Sequence, residues 1–173
     1  MGVLDALTDP LSPAFDLAVS TNVLSSSYIP VPATYRSILL EYAGFSPADG
    51  AVLLLGVIRA PTYHAGGWIL RVQTGAEAMT LGSDVFVNAP LHIDTYVHEM
   101  VHVGQYGVLG PTRFLVSYFG LSAAIIAKRF LAREPLNVFS SSPHEMQAYN
   151  LEGRFRAWLR TAHPDQMANC SGR

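Results

Sequence analysis

Apolar residues between Ile93 and Gly104 recur at Ile93, Val97, Met100, Val101 and Gly104, the spacing of one face of an α-helix. Asp94 or a residue just before it can cap the start, and Gly107, Gly110 and Pro111 mark the end. Three more stretches read as helices. "VPATYRSILLEYAGF" has Pro32 near its start and Gly44 past its end. "PTRFLVSYFGLSAAIIAKRFLAREP" opens on Pro111 and is stopped by Pro135, and "SSPHEMQAYNLEGRFRAWLR" has Ser142 as cap and Pro143 at the first helical position. "AVLLLGVIR" is a continuous apolar run that fits a buried strand or a helix.

"GWILRVQ", "AMTL" and "DVFVN" read as short strands between glycine-containing turns, with Val85 and Val87 on one face. The first thirty residues, rich in Ser, Pro and Asp, read as an irregular arm or short helices packed on the body. No repeat, low-complexity tract or long linker divides residues 1–173, so one domain is expected. Its class is α+β, mainly helical with a small twisted sheet beside the histidine-bearing helix.

Composition narrows the partners. Hydrophobic residues make up 50% of the chain and charged ones 14%, and the mean hydropathy is +0.25. Such a chain is no disordered tail. A large core, a partner or a membrane surface would absorb the apolar excess. The net charge of -2, with a single lysine at Lys128, offers no basic field for nucleic acid. The longest apolar run, Phe114 to Ala127, is short for a membrane span and is read as a buried helix, with an interfacial helix as the alternative. Cys170 is the only cysteine, so the chain carries no disulfide mark of an oxidising compartment. "MGVLDALTDP" shows no ordinary signal peptide, and Ala6 stands where a myristoylation signal wants Ser or Thr.

Chemistry concentrates in "YVHEMVHVGQYG". His98 and His102 leave the same helical face one turn apart, which lets two imidazole nitrogens reach one zinc ion. Glu99 is rotated by about 100° from His98. From there it can take a proton from an attacking water as general base. A third ligand in the HExxHxxGxxH arrangement would need glycine at 105 and histidine at 108, where the chain has Gln105 and Val108. A later helix offers Glu145, with His144 and Glu152 as alternatives. Glu145 also completes a Ser142-x-x-Glu145 capping box, a purely local reason for its presence. Tyr106 and Tyr149 can each offer a phenol to an oxyanion, or simply pack. Gln105 and Asp94 can each orient a ligand ring, Asp94 equally being a helix cap.

"HEMVHVGQY", the downstream "SPHEMQAY" and the upstream "AMTLGSDVFVN" together resemble small bacterial zincin-like metallopeptidase domains of the glutamate-zincin type. The resemblance covers about Gly75 to Trp158. Members often read HE-x-x-H-V-x-Q-Y and then N-P-x-E-x-E-A; here Pro143, Glu145, Ala148 and Tyr149 match and Gln147 replaces the second acid. Thr80, Leu81 and Gly82 match the family's "TLG" strand. The resemblance implies zinc on His98, His102 and Glu145, with Glu99 as general base. It also implies an edge strand within Thr80 to Asn88 that pairs with extended protein or peptide substrate. Peptide-bond hydrolysis is the implied activity, in the cytoplasm or as a secreted effector or toxin. A non-catalytic zinc or partner-binding module, or a membrane-associated one, is the alternative.

Overall fold

The computed structural model describes residues 12–72, 77–88, 90–118 and 142–171. It is mainly helical with one small mixed sheet, the α+β class read from the sequence. In chain order come α1 (Ser12–Leu24), β1 (Ser26–Tyr28), α2 (Ala33–Phe45), α3 (Pro47–Ile58), β2 (Thr62–Gly66) and α4 (Trp68–Val72). These are followed by β3 (Ala78–Leu81), β4 (Asp84–Val87), α5 (Ile93–Leu109), α6 (Pro143–Ala162) and a 3-10 helix, Pro164–Asn169. Residues 111–118 are also helical. The rest of the apolar run that begins at Phe114 lies outside the described residues. Among the described residues no helix is long and apolar enough to cross a membrane.

The strand order is β1-β2-β4-β3, with β2 parallel to β4 and the other pairs antiparallel. β3 and β4 form a two-residue hairpin in which Leu81 pairs with Asp84. Gly82 holds its first central position at φ 68°, the residue and sign that a type II′ turn demands. Val85 and Val87 point to one side of the sheet, as their alternation predicts, and join the main core. Phe86 points to the other side, against Leu70, Leu81 and the partly buried Phe15, Val19 and Val23 of α1.

The main core lies between the sheet and helices α2, α3, α5 and α6. Val97, Met100, Leu151, Phe155 and Leu159 are essentially inaccessible within it. Each such side chain stabilises the fold by about 1.5–3 kcal/mol. The apolar run "AVLLLGVIR" resolves as helix α3, started by Pro47 at its first position and Asp49 in its first turn. α3 lies very close to α5. A Cβ on Gly56 would stand 2.5 Å from Met100 O, and one on Gly104 would stand 2.6 Å from Val52 O. Only glycine lets the two backbones approach so closely, and this clamps the histidine-bearing helix from behind.

One expectation is corrected. "GWILRVQ" is not a strand: Trp68–Val72 is a helical turn. Ser25 Oγ accepts from Trp68 N at 3.0 Å and Thr21 Oγ1 accepts from Trp68 Nε1 at 3.2 Å, so contacts with the N-terminal segment override the β-like composition. The strand of this region is "TYHAG", just upstream. Of the two readings of the first thirty residues, an irregular arm or short helices, the described part shows the second. Residues 12–24 form one 13-residue helix and Ser26–Tyr28 an edge strand, while residues 1–11 lie outside the described residues.

Candidate metal centre

α5 starts at His92, its N-cap, and ends at Gly110, whose φ of 74° turns the chain away. His98 and His102 sit in its middle turns and are each 5% exposed. α6 begins as the sequence indicates: Ser142 Oγ accepts from Glu145 N at 3.0 Å, with Pro143 in the first turn. That is one half of a capping box. The Glu145 carboxylate does not serve the other half but faces α5. Its Oε2 is 3.4 Å from His98 Nε2 and its Oε1 is 3.3 Å from His102 Nε2. The two Nε2 atoms are 3.2 Å apart. His98, His102 and Glu145 form the one group of described residues able to hold a metal ion.

The outer nitrogens of both rings are already taken. His98 Nδ1 lies 2.9 Å from Glu152 Oε2, which can only accept, so Nδ1 carries a hydrogen. His102 Nδ1 lies 2.8 Å from Gln105 Oε1. The Gln105 amide is oriented by its far end, where Nε2 donates to the His144 carbonyl at 3.2 Å and to Gln147 Oε1 at 2.8 Å. With both Nδ1 atoms as donors, the two Nε2 atoms and a carboxylate converge on one point. They repel unless a proton or a cation sits among them. Ligands at about 2.05 Å in a tetrahedron are about 3.3 Å apart; the Nε2–Nε2 separation of 3.2 Å matches that spacing, and each imidazole has one oxygen of the Glu145 carboxylate at 3.3–3.4 Å. The donor set therefore fits zinc. Burial alone would lower the His98 pKa, but the hydrogen bonds that Glu145 and Glu152 accept from it outweigh burial and push the imidazole up to about 10. Burial alone would raise the Glu145 pKa, but the two imidazoles hold its carboxyl well below the usual range.

Glu99 faces the sheet side of α5. Thr80 Oγ1, on β3, donates to Glu99 Oε2 at 2.6 Å, and Glu99 is 5% exposed. β3 is an edge strand, whereas β4 is paired on both sides. Only the Thr80–Leu81 part of the predicted Thr80 to Asn88 substrate strand therefore lies on a sheet edge. The Tyr149 ring stands edge-on to His98 at 4.7 Å between centroids, with the residue 42% exposed. Tyr106 stacks on Phe114 at 3.9 Å and packs near Phe15. It is a core ring, not a group at the metal.

The alternative ligands fall away on geometry. Glu152 meets the Nδ1 side of His98, the wrong side to share an ion with Nε2. His144 Nε2 is 2.7 Å from Ser117 Oγ, and its ring stacks near Tyr118. Asp94 is not the N-cap of α5, which is His92, but its Oδ1 accepts from Thr95 N at 2.9 Å in the first turn; Ser171 N and Oγ also donate to it at 2.9 and 2.7 Å. Tyr118 was missed in the sequence. Its hydroxyl donates to Glu145 Oε1 at 2.9 Å, and no periodicity or motif marks it for that role. No protein-family model matches the chain, and neither a curated protein nor a solved structure matches it.

Proposed function

We propose that the protein is a zinc-dependent hydrolase that cleaves peptide bonds in protein or peptide substrates. The observation that carries this reading is the convergence of two imidazole nitrogens and a carboxylate at 3.2–3.4 Å, next to a glutamate that follows His98 in sequence and is held separately by Thr80. Zinc held there would polarise the scissile carbonyl and lower the pKa of a water. Glu99 takes the proton of the attacking water and returns it to the leaving amine nitrogen. Thr80 holds the Glu99 carboxylate in place for that transfer. Tyr149, partly exposed beside His98, donates its phenol to the developing oxyanion. The β3 edge offers backbone groups to an extended substrate. The resemblance to glutamate-zincins adds to this reading and is independent of the distances.

The burial of Glu99 favours a second reading, a metal that is structural in a partner-binding module. One experiment separates the two. Zinc-loaded protein is incubated with a panel of denatured proteins, beside chelated protein and Glu99→Gln. The hydrolase reading expects cleavage by wild type, none after chelation and recovery with zinc. Glu99→Gln should keep its zinc and its melting temperature and lose roughly a hundredfold or more in rate. Equal cleavage by Glu99→Gln contradicts the mechanism, and zinc-loaded wild type that cleaves nothing supports the structural metal.

A further inference from the structure

Three polar positions on α5, each one turn from the next, meet three on α6 taken in reverse order. Asp94, His98 and His102 face Arg156, Glu152 and Glu145. The lower two rungs are the metal site and its support. The top rung has no part in the reaction, yet it is built from buried charges. Asp94 is inaccessible and Glu152 is 5% exposed. Between them lies the Arg156 guanidinium, its Nη1 3.4 Å from Asp94 Oδ2 and 3.9 Å from Glu152 Oε1. Its Nη2 donates to the Ser171 carbonyl at 3.4 Å, and Ser171 in turn donates to Asp94. Buried carboxylates persist when a cation and hydrogen bonds compensate them, and removing one partner leaves the rest strained.

We propose that Arg156 is a positioning residue of the metal site, a strut that keeps the Glu152 carboxylate on His98 Nδ1 and so aims His98 Nε2 at the metal. The proposal rests on the zinc reading above. Asp94, on the same helix as His98, anchors the guanidinium from one side. Ser171, just beyond the 3-10 helix, anchors it from the other. Glu152 Oε2 is hydrogen-bonded to the imidazole, and its Oε1 lies 3.9 Å from the Arg156 cation, an electrostatic attraction and not a hydrogen bond. With one oxygen released, the carboxylate can rotate off Nδ1, and the ring loses the contact that fixes its tautomer and angle. Partners of this kind behind a ligating histidine change metal affinity by about ten- to a hundredfold.

The test uses the full chain, with zinc affinity measured by competition with a chromophoric chelator and the visible bands of the cobalt(II) form recorded beside it. Arg156→Met keeps the aliphatic stem and removes the guanidinium. It should weaken zinc by about ten- to a hundredfold and alter the cobalt bands. Arg156→Lys should recover part of both, and it carries the same test if the methionine variant does not fold. Adding Arg156→Met to Glu152→Ala should weaken zinc less than twofold further, because the strut acts through the residue already lost. The proposal is overturned if Arg156→Met lowers the melting temperature while affinity and cobalt bands stay at wild-type values, which makes the clamp a structural fastening alone. It is also overturned if the two losses multiply in the double variant. Wild type that takes up neither metal overturns the zinc reading itself, a different result from flat variants.

Discussion

If zinc binds here as proposed, it competes with a proton for one place, so pH should set the metal affinity above the range of an ordinary histidine. In the metal-free protein, burial opposes the charge on His98, but hydrogen bonds with Glu145 and Glu152 prevail and raise its pKa from 6.5 to about 10. Zinc needs the same Nε2 lone pair, so binding displaces one proton at any pH well below that value. Apparent affinity should then rise by about one decade per pH unit, or about a hundredfold between roughly pH 6.5 and 8.5. Calorimetric titration in buffers of different ionisation enthalpy should count, beyond any proton lost by a zinc-bound water, about one proton released per zinc at roughly pH 8. Imidazoles at their usual pKa would release almost none there, and their affinity would level off near pH 7.5 or so. No proton release at pH 8 would refute the coupling of His98 to its two carboxylates. The sign for folding runs the same way. The raised pKa stabilises the metal-free fold fully below 6.5, and that contribution is lost as pH rises through about 10. Glu145, whose pKa is depressed, contributes above 4.5 and loses its contribution as pH falls through its folded value.

Thr80→Val keeps the shape of the side chain but removes the 2.6 Å hydrogen bond to Glu99. Such bonds to charged groups are worth about 1.5–3 kcal/mol. Cleavage should fall roughly ten- to a hundredfold with zinc content unchanged, and wild-type rates would show that Glu99 needs no anchor. Gly104→Ala forces a Cβ to within 2.6 Å of Val52 O, a backbone atom that cannot swing aside. The crowding should outweigh alanine's helix preference and cost about 1–3 kcal/mol in denaturant unfolding of the metal-free protein; a more stable variant would mean that α3 and α5 separate freely.

α2 was readable because its burial follows period 3.6, with Tyr35, Ile38, Leu39 and Tyr42 inside. α5 was readable from its apolar spacing, although it is buried on every side from Ile93 to Tyr106. α3 was ambiguous because Leu54, Leu55 and Ile58 stay exposed, so its outer face is as apolar as its inner one. "GWILRVQ" misled because its partners are Thr21 and Ser25, more than forty residues upstream, which no local pattern encodes. At the site, His98, Glu99 and His102 stand out by type and spacing, and Glu145 by its place after a cap. Glu152 carried a signal that was only half used: it is a carboxylate inside the buried stripe Ala148, Leu151, Phe155 and Leu159. A buried acid demands a partner, but sequence alone does not say which side of an imidazole it meets. Gln147 reads as a lost acid and proves to hold Gln105, a pairing visible only when α5 and α6 are packed together.

X-ray absorption at the zinc edge of the zinc-loaded protein tests the central claim most directly. The expected spectrum shows one zinc per chain, bound only by nitrogen and oxygen at about 2.0–2.1 Å, with the outer-shell scattering of two imidazoles. Glu145→Gln should change the oxygen shell and leave both imidazoles. Protein that holds no zinc, or a spectrum with a sulfur at about 2.3 Å from Cys170, would contradict a centre built from His98, His102 and Glu145.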